Sequence, residues 1–136
     1  RGKKDWPAVV SLSQQWVRVM PRSARAWQEL GDAYTATNRP RRAIPAYQQA
    51  LRYDGDSFDA WHNLGWTYLA LNQHDRAIEA IQEALRIRPG DTRAMFNLGV
   101  AYYGQGLRDK VQEIHGQLRK LDPALAGQFA KKYVKP

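Results

Sequence analysis

The three histidines are the residues of this sequence whose side chains could take part in acid–base chemistry. His62, His74 and His115 have no acid or nucleophile at a recurrent spacing, and the 136 residues include no cysteine. Nucleophilic and acid–base catalysis need such partners within hydrogen-bond reach. The sequence therefore predicts no catalytic residue, no cofactor and no enzyme activity.

A short run of aspartates could in principle hold a cation. Asp54, Asp56 and Asp59 begin like a calcium-binding loop, but such a loop places a glutamate at its twelfth position, where this sequence has Gly65. We therefore expect these aspartates to be helix caps in a linker, and we expect no metal site.

The positive charge of the chain lies at its two ends. The formal net charge is +8, but residues 58–91 carry −2, and the surplus is concentrated in residues 1–23 and 123–136, which carry +4 and +3. A nucleic-acid partner is disfavoured, because it would require a basic stripe along the folded surface. No apolar run reaches the roughly 20 residues of a membrane helix, so we expect no spanning segment.

One nine-residue pattern occurs three times at a spacing of 34 residues. It reads AWQELGDAY at 26–34, AWHNLGWTY at 60–68 and AMFNLGVAY at 94–102. A large residue is followed by Leu, Gly and Tyr at offsets of three, four and seven, which define one face of an α-helix. A period of this length predicts an array of repeated helical units.

The rest of each period predicts a second helix that packs closely against the first. Small residues recur on one of its faces, as at Ala43 and Ala50. Since a glycine inside a helix costs about 1 kcal/mol relative to alanine, the glycine of each first helix is expected where the partner helix leaves no room for a Cβ. Asn38, Asn72 and Gly106 share one offset between the two helices, and we expect a positive φ there.

These residues resemble the tetratricopeptide repeat family, whose pattern of Trp, Leu, Gly, Tyr, Ala, aromatic, Ala and Pro is carried almost whole by residues 58–91. The resemblance implies an all-α fold, a right-handed helix-turn-helix solenoid. The third unit departs from the pattern at Val111, His115 and Leu118. We therefore expect its second helix to pack against something other than a further repeat.

The resemblance also implies how the chain is divided. Asp122 and Pro123 are typical of the cap and first turn of a closing helix. The helix before the first unit is interpreted as the second helix of a preceding unit. We thus predict a single domain with an N-terminal helix at 6–21, three repeats at 24–57, 58–91 and 92–122, and a capping helix at 123–134.

In this family the first helices line a concave groove, so the resemblance implies which side chains face a ligand. Asn63 and Asn97 stand directly before Leu-Gly and resemble the asparagine ladder of O-GlcNAc transferase repeats, in which amides bond to a peptide backbone. Glu29 interrupts that ladder, and the alternative that these asparagines merely face solvent stays open. The expected peptide-binding residues are Arg25, Gln28, Asp32, His62, Asn63, Trp66, Arg93, Phe96, Asn97 and Tyr103.

Three aromatic residues on this side lie at offsets that the family leaves variable. We expect Trp66, Phe96 and Tyr103 to form a partly exposed pocket for one bulky apolar side chain of a peptide. The aromatic residues at consensus offsets, such as Trp61, are expected in the core. The lysines with which chaperone-binding members hold a terminal carboxylate have no counterpart at these positions, which disfavours a chaperone tail.

We predict a protein–protein interaction module that binds a peptide segment of a partner protein in its concave groove. The alternative is an oligomerisation or intramolecular docking arm of a larger enzyme whose catalytic domain lies outside this chain, and self-association remains open. The chain starts with Arg1 and has no apolar leader, so we expect a piece of a longer protein. The absence of cysteine is compatible with the cytosol and the periplasm alike.

Overall fold

The computed structural model describes residues 5–134, which form eight α-helices and no β-strand. Equivalent helices recur with the 34-residue period of the sequence, so the chain is the all-α helical-repeat solenoid that the sequence predicts. None of these helices is both long and apolar enough to cross a membrane. The helices are α1 (Trp6–Val19), α2 (Ala24–Ala36), α3 (Pro40–Tyr53), α4 (Phe58–Ala70), α5 (His74–Ile87), α6 (Thr92–Gly104), α7 (Arg108–Leu121) and α8 (Pro123–Tyr133).

Side-chain caps start the helices α2, α4 and α6 one period apart. Ser23, Ser57 and Asp91 each accept a hydrogen bond from the backbone N–H three residues later, at 3.1, 3.1 and 3.0 Å. Each cap satisfies one of the amides that a helix start leaves unpaired. The expectation that the aspartates of this linker are helix caps is confirmed for Asp54, which is the C-cap residue of α3. The cap of α4 is Ser57, and Asp59 lies in the first turn of that helix.

The turns between paired helices adopt the conformation expected from the sequence. Asn38 and Asn72 have φ of 60° and 58°, and Gly106 has a φ of 74°. Asparagine and glycine tolerate this left-handed region better than other residues. The prediction of positive φ at the shared offset is therefore confirmed.

The glycines of the first helices mark points of close helix approach. A Cβ placed on Gly31 would lie 2.6 Å from Cε1 of Tyr47, and one on Gly65 would lie 2.5 Å from Cγ1 of Ile81. Both distances are shorter than a van der Waals contact. The prediction that the partner helix leaves no room for a side chain is confirmed.

The third unit uses a different partner for its glycine. A Cβ on Gly99 would lie 2.5 Å from Cε1 of Phe129, a residue of α8, and 2.9 Å from Cγ2 of Ile114. In the third unit the position equivalent to Tyr47 and Ile81 is occupied by His115, which is half-buried. Helix α8 packs against both α6 and α7. The last second helix thus contacts α8, as its departure from the repeat pattern predicts.

The tryptophans at consensus offsets are half-buried. Trp27 and Trp61 pack against the core, and each indole N–H donates to a backbone carbonyl, that of Pro21 at 2.7 Å and that of Gly55 at 2.8 Å. This bond holds the polar edge of the ring at the connection before its own helix. The core position expected for Trp61 is therefore corrected to a half-buried one.

The same side-chain bond recurs between α1 and α2, between α3 and α4, and between α5 and α6. A glutamine amide lies within hydrogen-bond distance of a tyrosine hydroxyl in the pairs Gln14–Tyr34 (2.9 Å), Gln48–Tyr68 (3.5 Å) and Gln82–Tyr102 (3.4 Å). Helix α1 makes this bond as α3 and α5 do, and it begins one period before α3. It therefore has the place of a second helix; its origin in a preceding unit stays a prediction.

The first helices lie closer to one another than the second helices do. Helix α2 contacts α4, α4 contacts α6, and α6 contacts α8, whereas within residues 5–134 no contact joins α1 to α3, α3 to α5 or α5 to α7. An array bends toward the layer whose helices are closer together. Helices α2, α4 and α6 therefore line the concave side, which is called the groove below.

Candidate functional site in the groove

The residues predicted to bind a peptide all lie on the three groove helices. Six of the ten are half-buried, while Arg25 and Arg93 are exposed, as are Trp66 at 51% and Tyr103 at 47%. Within residues 5–134 no group of acidic and histidine side chains has the arrangement of a metal site. Helix α2 carries Arg25, Gln28 and Asp32, α4 carries His62, Asn63 and Trp66, and α6 carries Arg93, Phe96, Asn97 and Tyr103.

Asp32 is the centre of a hydrogen-bond network in the first repeat. The Tyr47 hydroxyl donates to its Oδ1 at 2.6 Å, and the Asn63 amide donates to the same oxygen at 3.0 Å. Burial raises the pKa of Asp32, the two hydrogen bonds oppose that shift, and the nearby charges of Glu29 and Asp59 add to it. Asp32 is therefore a carboxylate whose charge its surroundings only partly stabilise.

The two asparagines link neighbouring helices. Asn63 reaches from α4 to Asp32 on α2, and the amide nitrogen of Asn97 lies 3.0 Å from Nε2 of His62, which connects α6 to α4. A side-chain amide has two N–H groups and an acceptor oxygen, so each asparagine keeps groups for a ligand after making one such bond. The asparagines do more than face solvent, and their binding of a peptide backbone stays a prediction.

His62 is held in its neutral form. Its ring stacks on Phe58 at 5.4 Å between centroids, and the Arg88 guanidinium lies 4.4 Å from the centroid of the same Phe58 ring. Burial lowers the pKa of His62, and the neighbouring charge of Arg93 lowers it further, while Asp91 and Asp59 act in the opposite direction. An amide N–H of Asn97 can donate only to an unprotonated ring nitrogen, which fits this direction.

Helix α8 divides the expected aromatic pocket. Phe96 packs edge-on against Phe129 and Tyr133, with centroid distances of 5.3 and 5.9 Å, and Tyr103 packs against Tyr133 at 5.1 Å. No ring contact within residues 5–134 joins Trp66 to this cluster. The single pocket expected from the sequence is therefore corrected to a part at Phe96 that α8 covers and an open part at Trp66.

Two residues at the site were missed by sequence reasoning. Tyr47 extends from α3 to the groove, where its hydroxyl bonds Asp32, and Tyr133 of α8 packs on the rings of Phe96 and Tyr103. A signal existed for Tyr47, because a buried tyrosine needs a partner for its hydroxyl and Ile81 holds the same offset one repeat later. For Tyr133 the apolar spacing of α8 was visible, but not the surface it would cover.

The fold and the repeat pattern define a family. The sequence model of the tetratricopeptide repeat matches residues 29–92 and 63–110, which together cover more than half of the chain. The chain therefore belongs to the tetratricopeptide repeat family, as the sequence indicates. Members of this family generally serve as non-catalytic protein-interaction modules, and the family and the fold support a helical protein-interaction scaffold for this chain.

Solved structures are similar along most of the chain. A crystal structure of MamA protein is 30% identical, with a TM-score of 0.79, over 93% of this chain and 67% of that one. MamA from Desulfovibrio magneticus RS-1 is 22% identical, with a TM-score of 0.81, over 90% and 73%. YrrB, described as a TPR protein with an unusual peptide-binding site, is 20% identical, with a TM-score of 0.84, over 93% and 66%. Comparison with curated proteins finds no match.

Proposed function

We propose that the groove binds a peptide segment of a partner protein and that Trp66 contacts its bulky apolar side chain. The observation that carries this proposal is an indole left 51% exposed at a groove position. The same offset holds Asp32 in the first repeat and Val100 in the third, so the repeat does not need an aromatic residue there. An exposed aromatic residue beside polar groove positions is typical of a binding contact.

The contact is large enough to matter for affinity. Covering the exposed half of the indole removes about 100 Å² of apolar area from water, which at about 25 cal/mol per Å² contributes about 2.5 kcal/mol. That free energy corresponds to an affinity change of about 50-fold. Asn63 and Asn97 lie on the same and the next groove helix, where their remaining amide groups would hold the backbone of an extended ligand.

The test begins with a selection of random 12-residue peptides against the folded chain, followed by affinity measurements on variants. Trp66→Ala should weaken the selected peptides by about 10- to 100-fold, because it removes the apolar contact. The matched control is Tyr53→Ala, which removes an aromatic side chain, 38% exposed, from the end of α3 outside the groove, and it should leave the affinity unchanged.

The result against the proposal would be binding that ignores Trp66→Ala. If such binding also disappeared with added salt and with Lys131→Ala, the ligand would be an anionic partner at the basic end of the chain. Peptides equally weakened by Tyr53→Ala would place the binding surface on α3.

A docking arm is the second function with an observation in its favour. Leu12 on α1 is 65% exposed, whereas its equivalents Ala46 and Ala80 on α3 and α5 are buried against the first helix of their own unit. Val19 at the end of α1 is 80% exposed. A second copy of the chain would cover this face in a self-associating module. Light scattering tests it: a dimer that Val19→Glu dissociates without changing peptide binding would support this function beside the first.

A further inference from the structure

The groove is acidic at the end formed by the first repeat. Glu29 and Asp32 project from α2, and Asp59 lies at the start of α4. The position of Glu29 is occupied by asparagine in both other repeats. The position of Asp32 is occupied by Trp66 in the second repeat and by Val100 in the third.

Asp32 has a structural role in this repeat, because it accepts from the Tyr47 hydroxyl, which the other repeats lack at the equivalent Ile81 and His115. Glu29 has no such role, since no hydrogen bond or ion pair within residues 5–134 involves it.

No ion pair within residues 5–134 involves these carboxylates. The ion pairs in that part of the chain involve acids other than Glu29, Asp32 and Asp59, although the sequence has 21 lysines and arginines. The charges of Glu29 and Asp59 act to raise the pKa of Asp32. Among residues 5–134, Arg25 is the one cation that lines the adjacent cavity, so the balance of charge at this end of the groove is negative.

One oxygen of Asp32 is available to a ligand. The bonds from Tyr47 and Asn63 both end on Oδ1, and no donor to Oδ2 is found within residues 5–134. That part of the chain also contains no buried side-chain oxygen without a partner. It follows that Oδ2 is reached by solvent, and a donor from a ligand can take the place of water there.

A cavity lined by Glu29 and Asp59, but not by Asp32, offers room for a long side chain. Its volume is about 370 Å³, and it lies between α2, the end of α3 and the start of α4. Arg25 is its only cationic lining residue. The other polar lining residues are Gln28, Glu29, Asp54, Ser57 and Asp59.

We infer that the peptide segment bound in the groove carries a lysine or arginine, and that this cation pairs with Asp32 and Glu29 while the apolar residue of the same segment covers Trp66. This inference rests on the proposed function and adds the chemistry of the ligand. A ligand cation would balance the negative charge that Arg25 leaves uncompensated, and such charge-assisted bonds are stronger than neutral ones. The surplus positive charge of the chain lies at its ends and is screened within about 10 Å.

The repeat geometry also sets the spacing within the ligand. Asp32 and Trp66 hold the same offset on α2 and α4, which are in contact, so their backbones are about 10 Å apart. An extended chain advances about 3.3 Å per residue. The basic residue should therefore stand about two to four residues from the apolar one.

The experiment compares peptides selected from a random 12-residue library on the parent chain and on the double variant Glu29→Gln/Asp32→Asn. The control double variant, Glu79→Gln/Asp109→Asn, removes the same charge at exposed positions on α5 and α7. Peptides selected on the parent and the control should be enriched in lysine or arginine at the stated spacing. Those selected on the groove variant should keep the apolar residue and lose the basic one.

A direct measurement follows with one selected peptide in which the basic residue is replaced by norleucine. This replacement should weaken binding to the parent about 10-fold and binding to the groove variant less than 2-fold, because the cation has lost its partners there. Equal losses in both proteins would overturn the inference while leaving Trp66-dependent binding in place. Selection of acidic peptides would overturn it too, and binding that ignores Trp66 would overturn it together with the proposed function.

Melting of the free protein gives a second readout. Asparagine keeps the oxygen that accepts from Tyr47 and Asn63, so Asp32→Asn should raise the melting temperature at pH 7 while lowering affinity for the basic peptide. Because folding raises the pKa of Asp32, the ionised carboxylate destabilises the folded parent at pH values above that pKa. The increase in melting temperature produced by Asp32→Asn should therefore become smaller as the pH falls through the raised pKa. A lower melting temperature with unchanged affinity would assign Asp32 to the fold and overturn the inference.

Discussion

Substituting two helix glycines by alanine should change stability in opposite directions. Gly65 and Gly116 both lie inside helices, α4 and α7. A Cβ on Gly65 would lie 2.5 Å from Cγ1 of Ile81, whereas a Cβ on Gly116 would meet nothing within 4 Å. Gly116→Ala should therefore stabilise the fold by up to about 1 kcal/mol through helix propensity alone.

Gly65→Ala gains the same propensity but forces α4 and α5 apart. Cγ1 of Ile81 is one bond from the Cβ of a fully buried side chain, so it cannot move aside without shifting the helix. Overpacking of this kind costs about 1–3 kcal/mol. Subtracting the propensity gain leaves a net loss of up to about 2 kcal/mol, or up to roughly 7 °C in melting temperature for a domain of this size.

Thermal and urea unfolding of both variants measure whether each substitution raises or lowers the free energy of unfolding. The variant Ile81→Ala lacks the Cγ1 atom that a Cβ on residue 65 would meet. Adding Gly65→Ala to Ile81→Ala should therefore stabilise the protein, as Gly116→Ala does in the parent. The reasoning fails if Gly65→Ala stabilises the parent, because the close approach of α4 and α5 would then not limit this position.

Three other changes test the fold. Trp61→Ala should lower the free energy of unfolding by about 2–3 kcal/mol, which is less than for a fully buried tryptophan because the ring is half-buried. Gln73→Ala in the turn should lower it by less than about 0.5 kcal/mol. Equal melting temperatures of the two variants would contradict this prediction. Pro45→Ala should stabilise α3 by about 1–3 kcal/mol, since alanine restores the N–H that an interior proline lacks, and an unchanged urea midpoint would argue against it. Because the pKa of His62 is lowered on folding, the stability that its neutral ring contributes is complete above about pH 6.5 and is lost as the pH falls toward the lowered pKa. The variant His62→Gln should therefore show a flatter dependence of melting temperature on pH in that range. Identical profiles of the variant and the parent would contradict a lowered pKa of His62.

Local patterns sufficed to predict the helices and their pairing. The 34-residue period, the glycines of the first helices and the residues at the turns are short-range signals, because a helix face and a positive φ depend on neighbouring residues. Asn38 and Asn72 indicated the turns, and Asp122 indicated the start of α8, where it accepts from the N–H of Leu125 at 3.0 Å.

The composition of the groove was only partly visible in the sequence. The family pattern placed Asp32, Asn63 and Trp66 on one side of the array, since their offsets repeat with the period. It could not show that Asn63 donates to Asp32 across two helices, because this bond depends on the distance between α2 and α4. Nor could it show that Tyr47 reaches the same carboxylate from the far side of α2.

The sequence by itself determined the 34-residue repeat, the pairing of its helices and the positive φ at the turns between them. The tertiary structure alone decided which groove side chains remain open. Phe96 is covered because α8 turns back and brings Phe129 and Tyr133 onto α6, while Trp66 on α4 stays exposed. The physical reason is that the exposure of a side chain depends on contacts between residues far apart in the chain. A periodic sequence pattern does not predict such contacts beyond the last repeat, where α8 packs.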